Sequence, residues 1–241
     1  VIALSAAADV VAAGRKAQNL ARLAAVGLPV LGGCVLLPGD AVEIDEITTA
    51  LGPGPYVVRS SSALEDRAGA SAAGLYASLT GVAWGRLRAA IAAVRASADD
   101  ESVAVYLAAR GASAGAIAVL VQPDVGAVPL GVAQSGDDAI WVEEREVGAP
   151  EWADARAFVL GRRADDPLVA LVTAAERVLG GPVDVEYARG ARLLLLQARP
   201  RARPHDAARA QLPPGRWRLD AEHNPDPLSA AQAALVALVD G

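Results

Sequence analysis

The stretch from Pro182 to Pro200 constrains this chain more than any other part of it. Two runs of strand-forming residues flank Arg189-Gly190, a pair suited to a tight turn, so the stretch reads as a β-hairpin. Its second run, Leu193-Leu194-Leu195-Leu196, has the composition of a buried strand, yet it continues into Gln197 and Arg199. Side chains alternate along a strand, so Gln197 and Arg199 are expected on one face with Leu193 and Leu195. A connecting loop of two or four residues brings Glu186 to that face as well, whereas a loop of three breaks the convergence. An acid, an amide and a guanidinium projecting together have two readings. The carboxylate and amide oxygens suit a hard cation such as Mg²⁺, and the guanidinium suits a phosphate. That is the equipment of phosphoryl transfer. The alternative is a buried Glu–Arg pair that merely closes the hairpin.

The rest of the chain narrows the choice by exclusion. Its net charge is −6 and it holds no Lys/Arg-rich run, which argues against nucleic-acid binding. A phosphate-bearing small ligand needs only a local group of cations. The one cysteine, Cys34, sits in an apolar stretch and reads as core; alone, it forms no intrachain disulfide. No apolar run approaches the ~20 residues of a spanning helix and no signal peptide is evident, so no membrane partner and a cytoplasmic location are expected. The chain starts at Val1 and contains no methionine, as a processed or excised piece would. Aromatics make up 4% of the residues, so the core is expected to be aliphatic.

In chain order, Ala6 to Val26 reads as a helix with Ala17, Leu20, Leu23 and Ala24 on one stripe, stopped by Gly27 and Pro29. Near its start stand Gly14, Arg15 and Lys16, cations where helix N–H groups also favour anions. A short strand from Leu28 to Leu37 follows, and Asp40 is placed to cap a helix running to about Leu51. After the Gly52-Pro53-Gly54-Pro55 loop, Tyr56-Val57-Val58 forms a strand that delivers Arg59, Ser60, Ser61 and Ser62. The small-residue run Gly69 to Gly74 comes next; it lacks the GxxxxGK[ST] pattern, so it is no P-loop. Two helices are expected between residues 85 and 111, then strands over 115–125, 130–133 and 141–147, and a helix at about 166–179. The acidic run Glu143–Glu146 reads as a solvated strand edge, with a nucleotide or metal contact as the other possibility.

Taken together, these segments resemble the ATP-binding domain of the phosphoenolpyruvate synthase and pyruvate phosphate dikinase family. Gly14-Arg15-Lys16-Ala17-Gln18-Asn19-Leu20 with Gly27-Leu28-Pro29-Val30 is similar to its opening. Val58 to Asp66 is similar to its "VRSS…ED" segment and Ser71-Ala72-Ala73-Gly74 to its "SFAG" loop, with Ala72 for Phe. Val119 to Val125 is similar to its "VVVQxMV" strand, with Asp124 for Met. Asp184-Val185-Glu186-Tyr187 and Leu196-Gln197-Ala198-Arg199-Pro200 match its "DIEW…LQxRP" hairpin. The pieces keep family order over residues 14 to 200. Leu130-Gly131-Val132-Ala133 stands where the family has "SGVxFT", and the long "GLGE" insertion is missing.

The resemblance implies an α/β, ATP-grasp-like domain of two lobes with mixed or antiparallel sheets and the nucleotide between them. Residues 1–84 would form the first lobe, 85–200 a shortened second lobe ending in the hairpin, and 201–241 a linker and terminal helix, begun by the Ser229–Gln232 capping box. Position by position, it places Lys16 and Arg59 on ATP phosphates, Ser71 and Gly74 in a loop over the phosphate chain, and Gln122 beside the adenine. It places Glu186 and Gln197 on Mg²⁺ and Arg199, with Arg59, at the transferring phosphoryl group. The implied partners are a swivelling phosphohistidine domain and an acceptor-binding domain, in the same or another chain. His205 and His223 lie in no motif of the phosphorylated-histidine kind and read as structural or exposed. The alternative is a non-catalytic nucleotide-binding or interaction module that kept the scaffold, favoured by the missing insertion, by Ala72 and by Leu75. A third, a ligase-type ATP-grasp enzyme making an acyl phosphate, is opposed by the "LQxRP" ending.

Overall fold

The computed structural model describes residues 1–64, 75–108, 111, 113, 115–126, 128–146 and 156–201. Val1–His205 forms one compact unit; a second, Asp206–Gly241, lies outside the described residues, as do the expected linker, the terminal helix and both histidines. In chain order the strands are β1 (Ile2–Ala3), β2 (Cys34–Leu36), β3 (Tyr56–Ser61), β4 (Ser78–Val82), β5 (Ala118–Pro123), β6 (Leu130–Ser135), β7 (Ala139–Arg145), β8 (Arg156–Gly161), β9 (Val183–Arg189) and β10 (Leu193–Pro200). The α-helices are α1 (Gly14–Ala25), α2 (Ile44–Leu51), α3 (Leu87–Ala96), α4 (Glu101–Ala108) and α5 (Pro167–Leu179).

The strands make two five-stranded sheets, ordered β1-β2-β5-β3-β4 and β10-β9-β6-β7-β8, and every pair in them is antiparallel. β5 takes the centre of the first sheet because Ala118-Val119-Leu120-Val121 is apolar on both faces and buried throughout. One face, with Val58, Val119 and Val121, packs on α3 and α4 through Leu87, Ile91, Val94 and Val103. The other, with Val35, Ala118 and Leu120, joins a second core built from α1, α5 and the second sheet. Leu20 and Leu23 of α1 are fully buried there, a contribution of about 1.5–3 kcal/mol each. The two sheets therefore do not divide the sequence at residue 84. β5, α3 and α4 belong with the first sheet, while α1 packs on the second.

Several local expectations are corrected. The N-terminal helix is broken: 3₁₀ turns cover Leu4–Ala6 and Val11–Ala13, and α1 begins only at Gly14. Asp40 caps no helix. Its Oδ2 accepts the Leu37 N–H at 2.9 Å and meets the N-terminal amine at 3.1 Å, and α2 starts beyond it at Ile44. The strand expected over 28–37 shrinks to β2, leaving Val30 as a single parallel bridge to Leu195. β7 is no edge, since β6 and β8 flank it. Glu144 is occupied structurally, accepting the Tyr187 hydroxyl at 2.6 Å and Arg189 Nε at 2.7 Å. Burial, reinforced by that carboxylate, raises the Tyr187 pKa, so the phenol stays a donor. Cys34 is core as expected, and burial pushes its thiol up from the ordinary range.

Candidate nucleotide site

The hairpin holds a register shift that the sequence hides. Its loop has three residues, since Leu193 pairs with Arg189, which by itself puts Glu186 and Gln197 on opposite faces. A β-bulge between Leu195 and Gln197 cancels that effect. Leu195 still pairs with Tyr187, Leu196 is the extra residue, and Gln197 pairs with Glu186. Arg199 then pairs with Asp184. The bulge also separates the leucines from the polar residues. Leu195 joins Tyr187, Val185 and Ala198 in the core, so it does not share a face with Gln197 and Arg199 as alternation alone suggests.

Opposite this hairpin stands the end of β3. Arg59 Nη1 donates to Glu186 Oε2 at 3.0 Å and to Gln197 Oε1 at 3.2 Å, so three residues expected at the site meet across the two sheets. The α1 N-terminus is docked onto the same strand end. The Arg15 N–H donates to Ser62 O at 3.1 Å, and the Ala17 N–H to Ser61 Oγ at 3.1 Å, which satisfies one of the helix's orphan donors. Lys16 Nζ donates to Ser60 O at 3.0 Å. Only glycine permits this approach. Gly14 has φ +77°, and a Cβ there would lie 2.2 Å from Ser61 O. Buried Asn19 donates from Nδ2 to Ala198 O at 3.2 Å, fixing α1 to β10 between Gln197 and Arg199. Nothing local in the sequence marks Asn19 for this role, because its partner is 179 residues away.

Arg199 is held from the next position along the hairpin. Its Nε and Nη2 lie 3.2 and 3.1 Å from Asp184 Oδ2. Asp184 Oδ1 is buried and accepts no hydrogen bond, with Arg201 Nε 3.9 Å away. Asp184 stands two residues before Glu186, on the same face of β9. The Glu186 carboxylate and the Gln197 amide oxygen, which share Arg59 Nη1, are hard donors of the kind Mg²⁺ takes. Among the described residues no three His, Cys, Asp or Glu side chains cluster as a self-sufficient metal cage.

A cavity of about 250 Å³ opens beside Arg59, lined also by Leu31, Val57, Thr80, Gln122 and Leu196. It is mostly apolar with a few polar groups, as small-ligand sites are. Gln122 is buried, pairs with Val57 and donates from Nε2 to Leu31 O at 2.7 Å. Asp124, standing where the resembled motif has Met, is tied down by the N–H groups of Gly81 and Gly126 at 2.9 Å each. Ser71 and Gly74 lie outside the described residues. No described helix is long and apolar enough to cross a membrane.

Comparison with known proteins gives three findings. No curated protein matches the sequence. Among solved structures, the D-alanine-D-alanine ligase from Coxiella burnetii is similar, with a TM-score of 0.46 and 15% identity over 80% of this chain. The chain spans 49% of that ligase. The family described as "Pyruvate phosphate dikinase, AMP/ATP-binding domain" matches residues 41–169, more than half of the chain. That stretch contains Arg59 and Gln122, whereas Lys16 and the hairpin lie outside it and come to the site through the fold. The chain belongs to the family of the pyruvate phosphate dikinase AMP/ATP-binding domain.

Proposed function

We propose that this domain binds Mg·ATP between its two sheets and catalyses the first half of a dikinase-like reaction, transfer of a phosphoryl group to a histidine on a separate domain or chain. The observation that carries this is the meeting of Arg59, Glu186 and Gln197 across the two sheets. The base would occupy the apolar cavity beside Gln122, and its phosphates would extend toward Arg59 and Lys16. Glu186 and Gln197 would hold Mg²⁺, which when bound supplies charge neutralisation of the phosphate chain. Arg199, gripped by Asp184 and two residues from Gln197, would stabilise charge on the transferring phosphoryl group.

ATP titrations with and without Mg²⁺ test the metal assignment. Gln197→Leu is expected to weaken Mg²⁺-dependent binding and leave Mg²⁺-free binding unchanged. An unchanged Mg²⁺ response removes Gln197 from the metal set. With a histidine-bearing acceptor domain supplied, AMP as the product supports the dikinase class, in which the β,γ-pyrophosphoryl group passes to the histidine and its outer phosphate then leaves to water or inorganic phosphate, so that one phosphoryl group stays; ADP points to the ligase class instead.

A further inference from the structure

Arg59 occupies the same two groups that are proposed above to hold the metal, and the inference drawn from this rests on that reading. One guanidinium nitrogen reaches both Glu186 Oε2 and Gln197 Oε1, so in the ligand-free protein the carboxylate is already neutralised and the amide oxygen already has a partner. A divalent cation on these same oxygens competes with the Arg59 donor for their lone pairs and is repelled by the guanidinium charge. A free cation must therefore displace a charge-assisted bond and leave the guanidinium with nothing in exchange. A cation arriving with a polyphosphate brings its own compensation, because phosphate oxygens accept a guanidinium in bidentate fashion.

We propose that Arg59 makes metal binding at this site conditional on nucleotide. The side chain stands in for the metal when the site is empty and transfers to the phosphates when the metal–nucleotide complex enters. Its position suits that exchange. It projects from β3 of the first sheet, the Glu186 and Gln197 side chains from β9 and β10 of the second, and the cavity assigned to the base adjoins it. The pair is not sealed away, since the Arg59 side chain is 18% exposed and that of Glu186 40%.

Mn²⁺ titration of the full chain, followed by the electron paramagnetic resonance of free Mn²⁺, tests this without any activity readout. Without nucleotide, Arg59→Gln is expected to bind Mn²⁺ about tenfold tighter than the wild type, equivalent to ~1.4 kcal/mol. With adenylyl imidodiphosphate present, the wild type binds Mn²⁺ tightly and Arg59→Gln loses affinity for the Mn²⁺–analogue complex. A residue with a merely structural role would not improve metal affinity on removal. Unchanged or weaker Mn²⁺ binding by folded Arg59→Gln overturns the proposal. If that variant does not fold, wild-type protein that binds Mn²⁺ equally well with and without the analogue overturns it. Glu186→Gln separates the two levels. Mn²⁺–analogue binding that this variant abolishes, together with unchanged Mn²⁺ affinity in Arg59→Gln, removes the proposal and leaves the nucleotide site standing. Wild-type protein that does not bind the complex removes both.

Discussion

Gly14→Ala tests whether the approach of α1 to β3 builds the site. Two costs are expected. Gly14 has φ +77° and ψ 163°, a region essentially reserved for glycine, so any side chain adds about 1–3 kcal/mol of backbone strain. The new Cβ would also lie 2.2 Å from Ser61 O and 2.4 Å from Ser61 C. Those are main-chain atoms of a strand paired with β5, which cannot yield like a flexible side chain. Overpacking of this kind adds about 1–3 kcal/mol. Gly52 isolates the second cost. It has φ 84° and ψ −174°, nearly the same backbone conformation, and a Cβ there meets nothing within 4 Å. Gly14→Ala should therefore be less stable than Gly52→Ala by about 1–3 kcal/mol. With a urea m-value of about 2 kcal/mol/M, that lowers the denaturation midpoint by a further ~0.5–1.5 M, read by far-UV circular dichroism. Equal midpoints for the two variants would refute the claim that contact with Ser61 is what demands glycine at position 14.

Two further outcomes follow from the side chains around the site and the second core. Arg199→Ala should abolish phosphoryl transfer while keeping ATP affinity within about tenfold, ~1.4 kcal/mol, because charge on the phosphoryl oxygens grows in the transition state. Parallel loss of binding and rate, measured by titration and single turnover, would make Arg199 a binding or folding residue. Glu176 is raised by burial but lowered more by hydrogen bonds from Arg162 and Ser135 and by the Arg162 charge, so its folded pKa lies below the ordinary 4.5. The stability it contributes is present above the unfolded pKa and lost as pH falls through the folded one. The gap in urea midpoint between wild type and Glu176→Gln should therefore be wide at neutral pH and shrink below about pH 4; a gap independent of pH contradicts this.

The hairpin shows what was legible in the sequence and what was not. The alternation of Gln197 and Arg199, with Glu186 opposite, pointed to one chemical face, and that face exists. The route to it was hidden. A run of four leucines carries no mark of which residue is extra, so neither the three-residue loop nor the compensating bulge at Leu196 could be read. Asp40 failed as a cap because the nearby Leu37 N–H takes its carboxylate, a local contest that a capping pattern does not display. β8 was missed because Ala157-Phe158-Val159-Leu160 is apolar without a break, so the alternation of half-buried Phe158 and Leu160 with exposed Val159 does not show in the sequence. The packing of α1 on the second sheet depends on Asn19 reaching Ala198, a contact between distant segments that only the fold creates.

Thermal melting with and without Mg·ATP, with Glu186→Ala as the control, tests nucleotide binding between the sheets most directly. At about 100 times its Kd a ligand adds ~2.7 kcal/mol of stability, a rise in Tm of about 5–10 °C for a domain of this size. The account predicts that rise in the wild type and its loss in Glu186→Ala. No rise at millimolar Mg·ATP, or an equal rise in the variant, would contradict it.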